Sequence, residues 1–300
     1  MIDYRLGLTG YPLGHSLSPG LHNAALAAAG LAGEYGLYPV APGDAAGLAA
    51  LLARLRSGEL HGLNVTIPHK QAVMPLLDEL TPAAQAIGAV NTVGIKQLAI
   101  SNEQLAKKSA NLQSPISNLQ SLFMLWGDNT DAPGFLRDVG RFLGDGAAPS
   151  SALVLGAGGS ARAVVYALAG AGWRVTVAAR RLAQAQELAV QMGQVGVVTA
   201  VALTAAELRN QKPGLLVNTT PVGMSPNVDA SPWPEGIEMW GGTAVYDLIY
   251  NPRETKLVRD ARAAGLRATT GLGMLVEQAA LAFTRWTSVE VDFWRLGIGD

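Results

Sequence analysis

Two carboxylates and an amide lie within five residues, Gly127-Asp128-Asn129-Thr130-Asp131, and a glycine-rich turn, Gly156-Ala157-Gly158-Gly159-Ser160-Ala161, stands further along the chain. Carboxylates and amides orient polar ligands, carboxylates also move protons, and a glycine-rich turn takes phosphates. Asp and Asn are also ordinary turn residues, so alone Asp128 and Asp131 fit a plain loop equally well. Lys70 supplies a possible partner, an ammonium in Asn64-Val65-Thr66-Ile67-Pro68-His69-Lys70. Following Pro68, it is expected in the first turn of a helix, where the dipole disfavours a cation. Two readings of that placement compete: a stem packed against the fold, and a lowered pKa suited to proton transfer. His15-Ser16-Leu17-Ser18-Pro19 sets two hydroxyls at a helix entrance. There Ser18 either caps the helix or joins Ser16 in holding a carboxylate.

The turn at 156–161 follows a short apolar strand and opens a helix, as a dinucleotide fingerprint requires. Gly156 permits the tight turn, Gly158 lets the backbone approach a pyrophosphate, and Ala161 takes the place of the third glycine. Ala157, Gly159 and Ser160 complete the cradle at the helix N-terminus. The second strand of such a unit ends in Asp or Glu when the ribose carries a free 2′-hydroxyl. Here Ala178-Ala179-Arg180-Arg181 stands there instead. Two guanidinium groups suit a 2′-phosphate, so NADP is the expected cofactor; solvated helix-entry arginines are the competing reading.

Composition excludes several classes. Net charge is −1, so no broad basic surface favours nucleic acid or an anionic membrane. There are no cysteines, hence no disulfide, zinc–thiolate site or thiol nucleophile. The four histidines lack metal-ligand spacing, and no metal is expected. The start, Met1-Ile2-Asp3-Tyr4-Arg5, lacks the plan of a signal peptide. The most apolar run, Ala152–Trp173, carries Arg162 and divides into strand, turn and helix rather than a membrane span. A cytoplasmic protein acting on a small molecule, monomeric or homodimeric, is expected.

Alternating strands and helices must position these groups. Strands are predicted at Tyr4–Thr9, Tyr35–Val40 and Gly62–Thr66. Helices are predicted from Ser18 toward Gly30, with Ser18 as N-cap, from Asp44 to Leu55, after Pro68, and after Pro82 with Thr81 as cap. A second series has strands at Ala152–Leu155, Arg174–Ala178, Leu215–Asn218 and Ala244–Leu248, with helices at Ser160–Ala169, Ala183–Gln191 and Leu272–Trp286. Asp131–Pro133 reads as a break between the two. The fold class is α/β with two domains. The division is an α/β domain over 1–130, a Rossmann-type NADP domain over 131–271, and a C-terminal helical segment over 272–300. Residues 96–124 carry a repeat, Asn111-Leu112-Gln113-Ser114 and Asn118-Leu119-Gln120-Ser121, and read as a low-complexity insertion forming a poorly packed surface excursion.

In sequence order, H-S-L-S-P, N-V-T-I-P-H-K, G-A-V-N-T, G-D-N-T-D, G-A-G-G-S-A-R, N-T-T-P-V-G-M at 218–224, Y-D-L-I-Y-N-P at 246–252 and G-L-G-M-L-V-E-Q at 271–278 resemble the shikimate dehydrogenase family. The likeness covers most of the chain outside the insertion. It implies reversible NADP-linked reduction of 3-dehydroshikimate to shikimate, in aromatic amino-acid biosynthesis, with 1–130 as the substrate domain and the final helical segment, 272–300, returning to it. By that pattern Ser16 and Ser18 hold the substrate carboxylate, and Thr66, Asn91 and Gln278 bind ring hydroxyls. Tyr250 faces the substrate, and Lys70 with Asp131 form the catalytic pair. Thr219, Leu248, Gly271 and Met274 join the glycine-rich turn, Arg180 and Arg181 on the cofactor. Two departures stand out. Ala179, Arg180, Arg181 and Gln184 replace the family's N-R-T-x-x-R, losing its second arginine. Thirty-four residues separate Thr92 from Gly127, where the family has a short hairpin. A quinate/shikimate enzyme with looser cofactor choice and a non-catalytic NADP-binding homologue remain alternatives. Thr66 and the arginine pair favour the shikimate enzyme over the first, and retention of Lys70 with Asp131 speaks against the second.

Overall fold

The computed structural model describes residues 2–97, 123–144, 148 and 150–297. They form two compact units. One gathers Met1–Ala84, Val90–Asp128 and Ala282–Asp300, and the other Gln85–Ala89 and Asn129–Leu281.

The first unit opens with β1 (Tyr4–Gly10), α1 (Ser18–Ala28), β2 (Gly33–Pro39), α2 (Ala45–Arg56) and β3 (Gly62–Val65). After these come β4 (Glu79–Leu80), α3 (Pro82–Ile87), whose end counts with the other unit, β5 (Thr92–Gln97) and β6 (Phe123–Asp128). The sheet order is β2-β1-β3-β5-β6-β4. Asp44 starts α2 by accepting a 2.8 Å bond from the Gly47 N–H, satisfying one orphan donor of the first turn. Leu48, Leu51, Leu52 and Leu55 then fall on one helical face and are buried.

Three local expectations for this unit need correcting. Ser18 is the first helical residue rather than the cap. It is the Ser16 Oγ that accepts from the Ser18 N–H, at 3.2 Å. No α-helix follows Pro68: residues 70–73 form turns and Met74–Leu76 a single 3₁₀ turn. Pro75 has no N–H to continue an i→i−4 ladder, so the turn cannot propagate. Lys70 therefore does not face a helix dipole. The hairpin is also longer than expected, with β5 and β6 paired in register out to Gln97↔Phe123. Lys96, Gln97, Phe123 and Met124 thus belong to the sheet, and the expected surface excursion and its repeat lie outside the described residues. Joining Gln97 to Phe123 through an Asn-Gly turn, which favours a tight hairpin, should leave turnover and melting temperature unchanged. A folded variant without activity would show that 98–122 contribute to catalysis.

The second unit runs through α4 (Asp131–Leu143), β7 (Ser151–Leu155), α5 (Gly159–Gly170), β8 (Arg174–Ala179), α6 (Leu182–Met192), β9 (Val198–Ala202), α7 (Ala205–Leu208) and β10 (Leu215–Asn218). It ends with β11 (Ala244–Asp247), α8 (Lys256–Ala263), β12 (Ala268–Thr270) and α9 (Leu272–Thr287). All pairings in its sheet are parallel, in the order β12-β11-β10-β7-β8-β9. That is the doubly wound order of dinucleotide-binding folds, with β7 at the switch of direction. The two units divide between Asp128 and Asn129, and Asp131–Pro133 just beyond forms the first turn of α4, where proline is tolerated and Asp131 suits the dipole.

The last turns of α9 belong to the first unit, as the returning helix requires. Trp286 donates its indole N–H to the Val93 carbonyl at 3.0 Å. A Cβ on Gly62 would lie 2.4 Å from that indole nitrogen, so the strand needs a glycine there. Beneath it His22, fully buried, stacks on Tyr35 with centroids 4.3 Å apart, and Trp286, Phe283 and Phe293 surround its ring. Neither imidazole nitrogen has a hydrogen-bond partner of sound geometry. Burial pushes this imidazole down to about 3, only partly opposed by the nearby Asn64 side chain. Among the described residues no helix is long and apolar enough to cross a membrane.

Candidate active site

In the first unit, loops at the C-terminal ends of the parallel strands carry the candidate groups. Ser16 and Ser18 enter α1 after β1, and Ser18 is buried. Thr66 follows β3 and is held by its N–H to the Thr9 carbonyl at 2.8 Å. Four residues on, Lys70 is only 9% exposed, an uncommon place for a lysine. Its carbonyl accepts from the Val90 N–H at 2.8 Å. That bond ties the turn to the segment entering β5, where Asn91 is buried. Asn91 is in turn fixed by its N–H to the Asp128 carbonyl at 3.1 Å and its own carbonyl to the Val65 N–H. The β3 loop and the β5 entrance are therefore one hydrogen-bonded assembly.

The acidic cluster at 127–131 separates into different tasks. Asp128 is buried and accepts from Thr81 Oγ1 at 2.7 Å and from Arg285 Nε at 3.0 Å. It secures the end of β6 to α9. Asn129 donates to the Ala89 carbonyl at 2.9 Å and accepts from the Ala132 N–H at 3.1 Å, holding the entrance to α4. Asp131 opens α4 and is 5% exposed.

Helix α4 also brings Asp131 and Gln278 onto neighbouring helices. A Cβ on Gly134 would lie 2.8 Å from the Gln278 backbone nitrogen, and one on Gly273 would lie 2.0 Å from Asp138 Oδ1. The α4–α9 crossing therefore depends on glycine from each side. Glu277, beside Gln278, is clamped by Arg141 at 2.6 Å and Arg137 at 3.6 Å. Gln278 itself bonds the Leu275 carbonyl at 2.9 Å.

The glycine-rich turn sits between β7 and α5. Gly156 has φ +109°, a left-handed conformation open to glycine, and its Cβ would meet Thr219 Oγ1 at 2.6 Å. Gly158 caps α5 with no side-chain bond and open space beside its Cα. The N-terminus of α5, with its dipole and backbone N–H groups, suits a phosphate, and Ala161 is buried. Arg180 and Arg181 are exposed just past β8. Thr219 is fixed by its hydroxyl to the Leu155 carbonyl at 2.7 Å. Gly271 lies so close to the Leu248 carbonyl that a Cβ would approach to 2.1 Å, and Met274 is buried one turn on. Tyr250 is half-buried in the loop after β11. The donor set fits a phosphorylated dinucleotide.

Sequence reasoning missed the group that binds two of these loops together. Asp247, fully buried at the end of β11, accepts from Asn218 Nδ2 at 2.8 Å, Thr255 Oγ1 at 2.7 Å and the Ile249 N–H at 3.1 Å. Asn218 Oδ1 then accepts from both the N–H and the hydroxyl of Thr220. Burial pushes the Asp247 carboxyl up to about 6, against the downward pull of its three donors. The available signal is a polar residue closing each of two apolar, adjacent strands.

A parallel sheet in this order, with an uncapped glycine turn at its switch point, defines a two-domain α/β protein of the dinucleotide-dependent oxidoreductase class. Comparison with known proteins narrows the class. Residues 8–93 match the family model of the shikimate dehydrogenase substrate binding domain, and residues 271–293 that of the shikimate 5′-dehydrogenase C-terminal domain. A shikimate dehydrogenase (NADP(+)) of Salinibacter ruber is 41% identical, over 93% of this chain and 90% of the relative. Shikimate 5-dehydrogenase of Thermus thermophilus, solved with NADP(H) and shikimate, is 37% identical with a TM-score of 0.76, covering 98% of this chain and 97% of that one. Quinate dehydrogenase of Corynebacterium glutamicum, solved with NAD, is 31% identical with a TM-score of 0.79, covering 98% and 97%. The chain belongs to the shikimate dehydrogenase family.

Proposed function

We propose that the chain catalyses the reversible, NADP-linked reduction of 3-dehydroshikimate to shikimate, serving aromatic amino-acid biosynthesis through chorismate. The observation that carries this reading is the full-length identity to NADP-dependent relatives, supported by a buried lysine in the unit that also holds the paired hydroxyls. Ser16 and Ser18 hold the substrate carboxylate by hydroxyl donation. Thr66, Asn91 and Gln278 bind ring hydroxyls, and Tyr250 lines the same ligand. NADPH supplies the hydride, and the forming alkoxide needs a proton. Lys70 gives that proton and stabilises the developing charge, while Asp131 orients lysine and substrate. The glycine-rich turn, Ser160, Ala161, Thr219, Leu248, Gly271 and Met274 hold the cofactor. The proposed setting is the cytoplasm, with the protein as monomer or homodimer.

Fold similarity alone does not select the substrate, because the quinate enzyme superposes as well as the shikimate enzyme. Following nicotinamide absorbance with shikimate or quinate, each with NADP or NAD, separates the readings. Shikimate with NADP should give the highest kcat/KM. A preference for quinate with NAD would replace the proposal, and cofactor binding without turnover on any substrate would mark a non-catalytic protein.

Arg180 is the proposed discriminator between cofactors. A hydrogen bond to a charged group contributes about 1.5–3 kcal/mol. Arg180→Ala should then weaken NADP binding by roughly ten- to a hundredfold, and barely touch NAD. Equal losses for both cofactors in a titration would make the arginine structural.

A further inference from the structure

Asn91 belongs to a directed series of hydrogen bonds inside the first unit. β3 and β5 run antiparallel and place Asn64 opposite Thr92. The Tyr35 hydroxyl donates to Asn64 Oδ1 at 2.8 Å. Asn64 Nδ2 donates to the Asn91 carbonyl at 3.1 Å and to Thr92 Oγ1 at 3.4 Å. Thr92 Oγ1 donates to Asn91 Oδ1 at 3.0 Å. Tyr35, Asn64, Asn91 and Thr92 are all buried.

Direction follows from what each group can do. A backbone carbonyl only accepts, so the Asn91 carbonyl fixes which end of the Asn64 amide carries nitrogen. Asn64 Oδ1 must then face Tyr35, which donates. Thr92, already accepting from Asn64, has one proton to give and gives it to Asn91 Oδ1. A flip of the Asn91 amide would set two donors against the Thr92 oxygen and leave its proton unused, which is costly in a low-dielectric interior.

We propose that Thr92 is a positioning residue that holds the Asn91 amide with its oxygen inward and its NH₂ group turned toward the ligand. The protein then demands an atom with a lone pair at that point, a hydroxyl or ketone oxygen, and disfavours a ligand offering only a donor. This inference rests on the proposed shikimate reading, in which Asn91 meets a ring hydroxyl.

The test is steady-state kinetics of Thr92→Val and Thr92→Ser, with NADP binding and melting temperature measured alongside. Thr92→Val keeps the shape and removes the proton. It should raise KM for shikimate about five- to tenfold, the worth of one neutral hydrogen bond, with kcat and NADP affinity changed by less than about twofold. Thr92→Ser should restore KM, a rescue that a packing role would not give. An unchanged KM in folded Thr92→Val, or an equal rise in Thr92→Ser, would overturn the inference. If Thr92→Val does not fold, Thr92→Ala, which also removes the hydroxyl proton, carries the test. A raised KM at constant kcat supports the relay, and an unchanged KM overturns it. Turnover of shikimate by the wild-type protein is the control: its absence would sink the activity itself, whereas normal turnover with indifferent variants would sink only the relay.

Discussion

Lys70→Ala should reduce turnover of shikimate roughly 10²–10⁴-fold, the usual effect of losing a positioned acid, while leaving NADP affinity intact. The lysine belongs to the first unit and the glycine-rich turn to the second, so the variant removes no group from the proposed cofactor site. Because Lys70 is buried, truncation also opens a hole, and a fall in activity could reflect loosened packing. Lys70→Met separates the two, since it keeps the length and apolar stem without the charge. Both variants should lose kcat to a similar extent, and Lys70→Met should melt near the wild-type temperature. Near-normal kcat in a folded Lys70→Met would remove the lysine from the mechanism.

Acid should destabilise the protein through His22, and His22→Phe should relieve it. The folded imidazole is pushed down to about 3 from 6.5 by burial among aromatic rings. Above pH 6.5 the ring is neutral in both folded and unfolded chains and contributes no pH dependence. As pH falls below 6.5, the unfolded chain takes up a proton that the folded one refuses, so stability is lost progressively until about pH 3. One pKa unit corresponds to about 1.4 kcal/mol, so roughly 2 kcal/mol has gone by pH 5. Asp247 works in the opposite sense. Its carboxyl, raised to about 6, binds a proton more readily folded than unfolded and adds stability as pH falls from 6 toward 3.8. Comparing His22→Phe with wild type cancels that contribution. The variant keeps the stack on Tyr35, so the two melting temperatures should be close at pH 7.5 and diverge as pH drops, with the variant higher. Parallel pH curves would show that His22 is protonated in the fold or hydrated there.

Where a single residue type forces local geometry, the sequence is enough. Asp44 and Thr81 cap their helices as their positions suggest, and the turn at Gly156 has the positive φ that only glycine adopts readily. Errors arise where one local rule is applied and its competitor overlooked. Pro68 suggests a helix start, but Pro75 stops the ladder seven residues later. Among the polar residues the limit is distance along the chain. Nothing near Asp128 reveals that its partner is Arg285, nor does anything near Asn64 announce that its amide orients Thr92. Motif matching can single out Asn91; only the register of β3 against β5 shows what stands behind it.

The first unit is completed by the final turns of α9, so its assembly is tied to the order of synthesis. His22 and Gly62 are made early, but the Trp286 that covers them emerges only after the whole of 129–281 has been translated. At the usual 5–20 residues per second, that is roughly ten to thirty seconds in which a nascent sheet exposes an unsealed aromatic face. The second unit has nearly all its residues in one run and can fold first. Newborn chains should therefore need chaperone protection at their N-terminal half, and a ribosome stalled before residue 282 should hold that half protease-sensitive beside a resistant dinucleotide-binding unit.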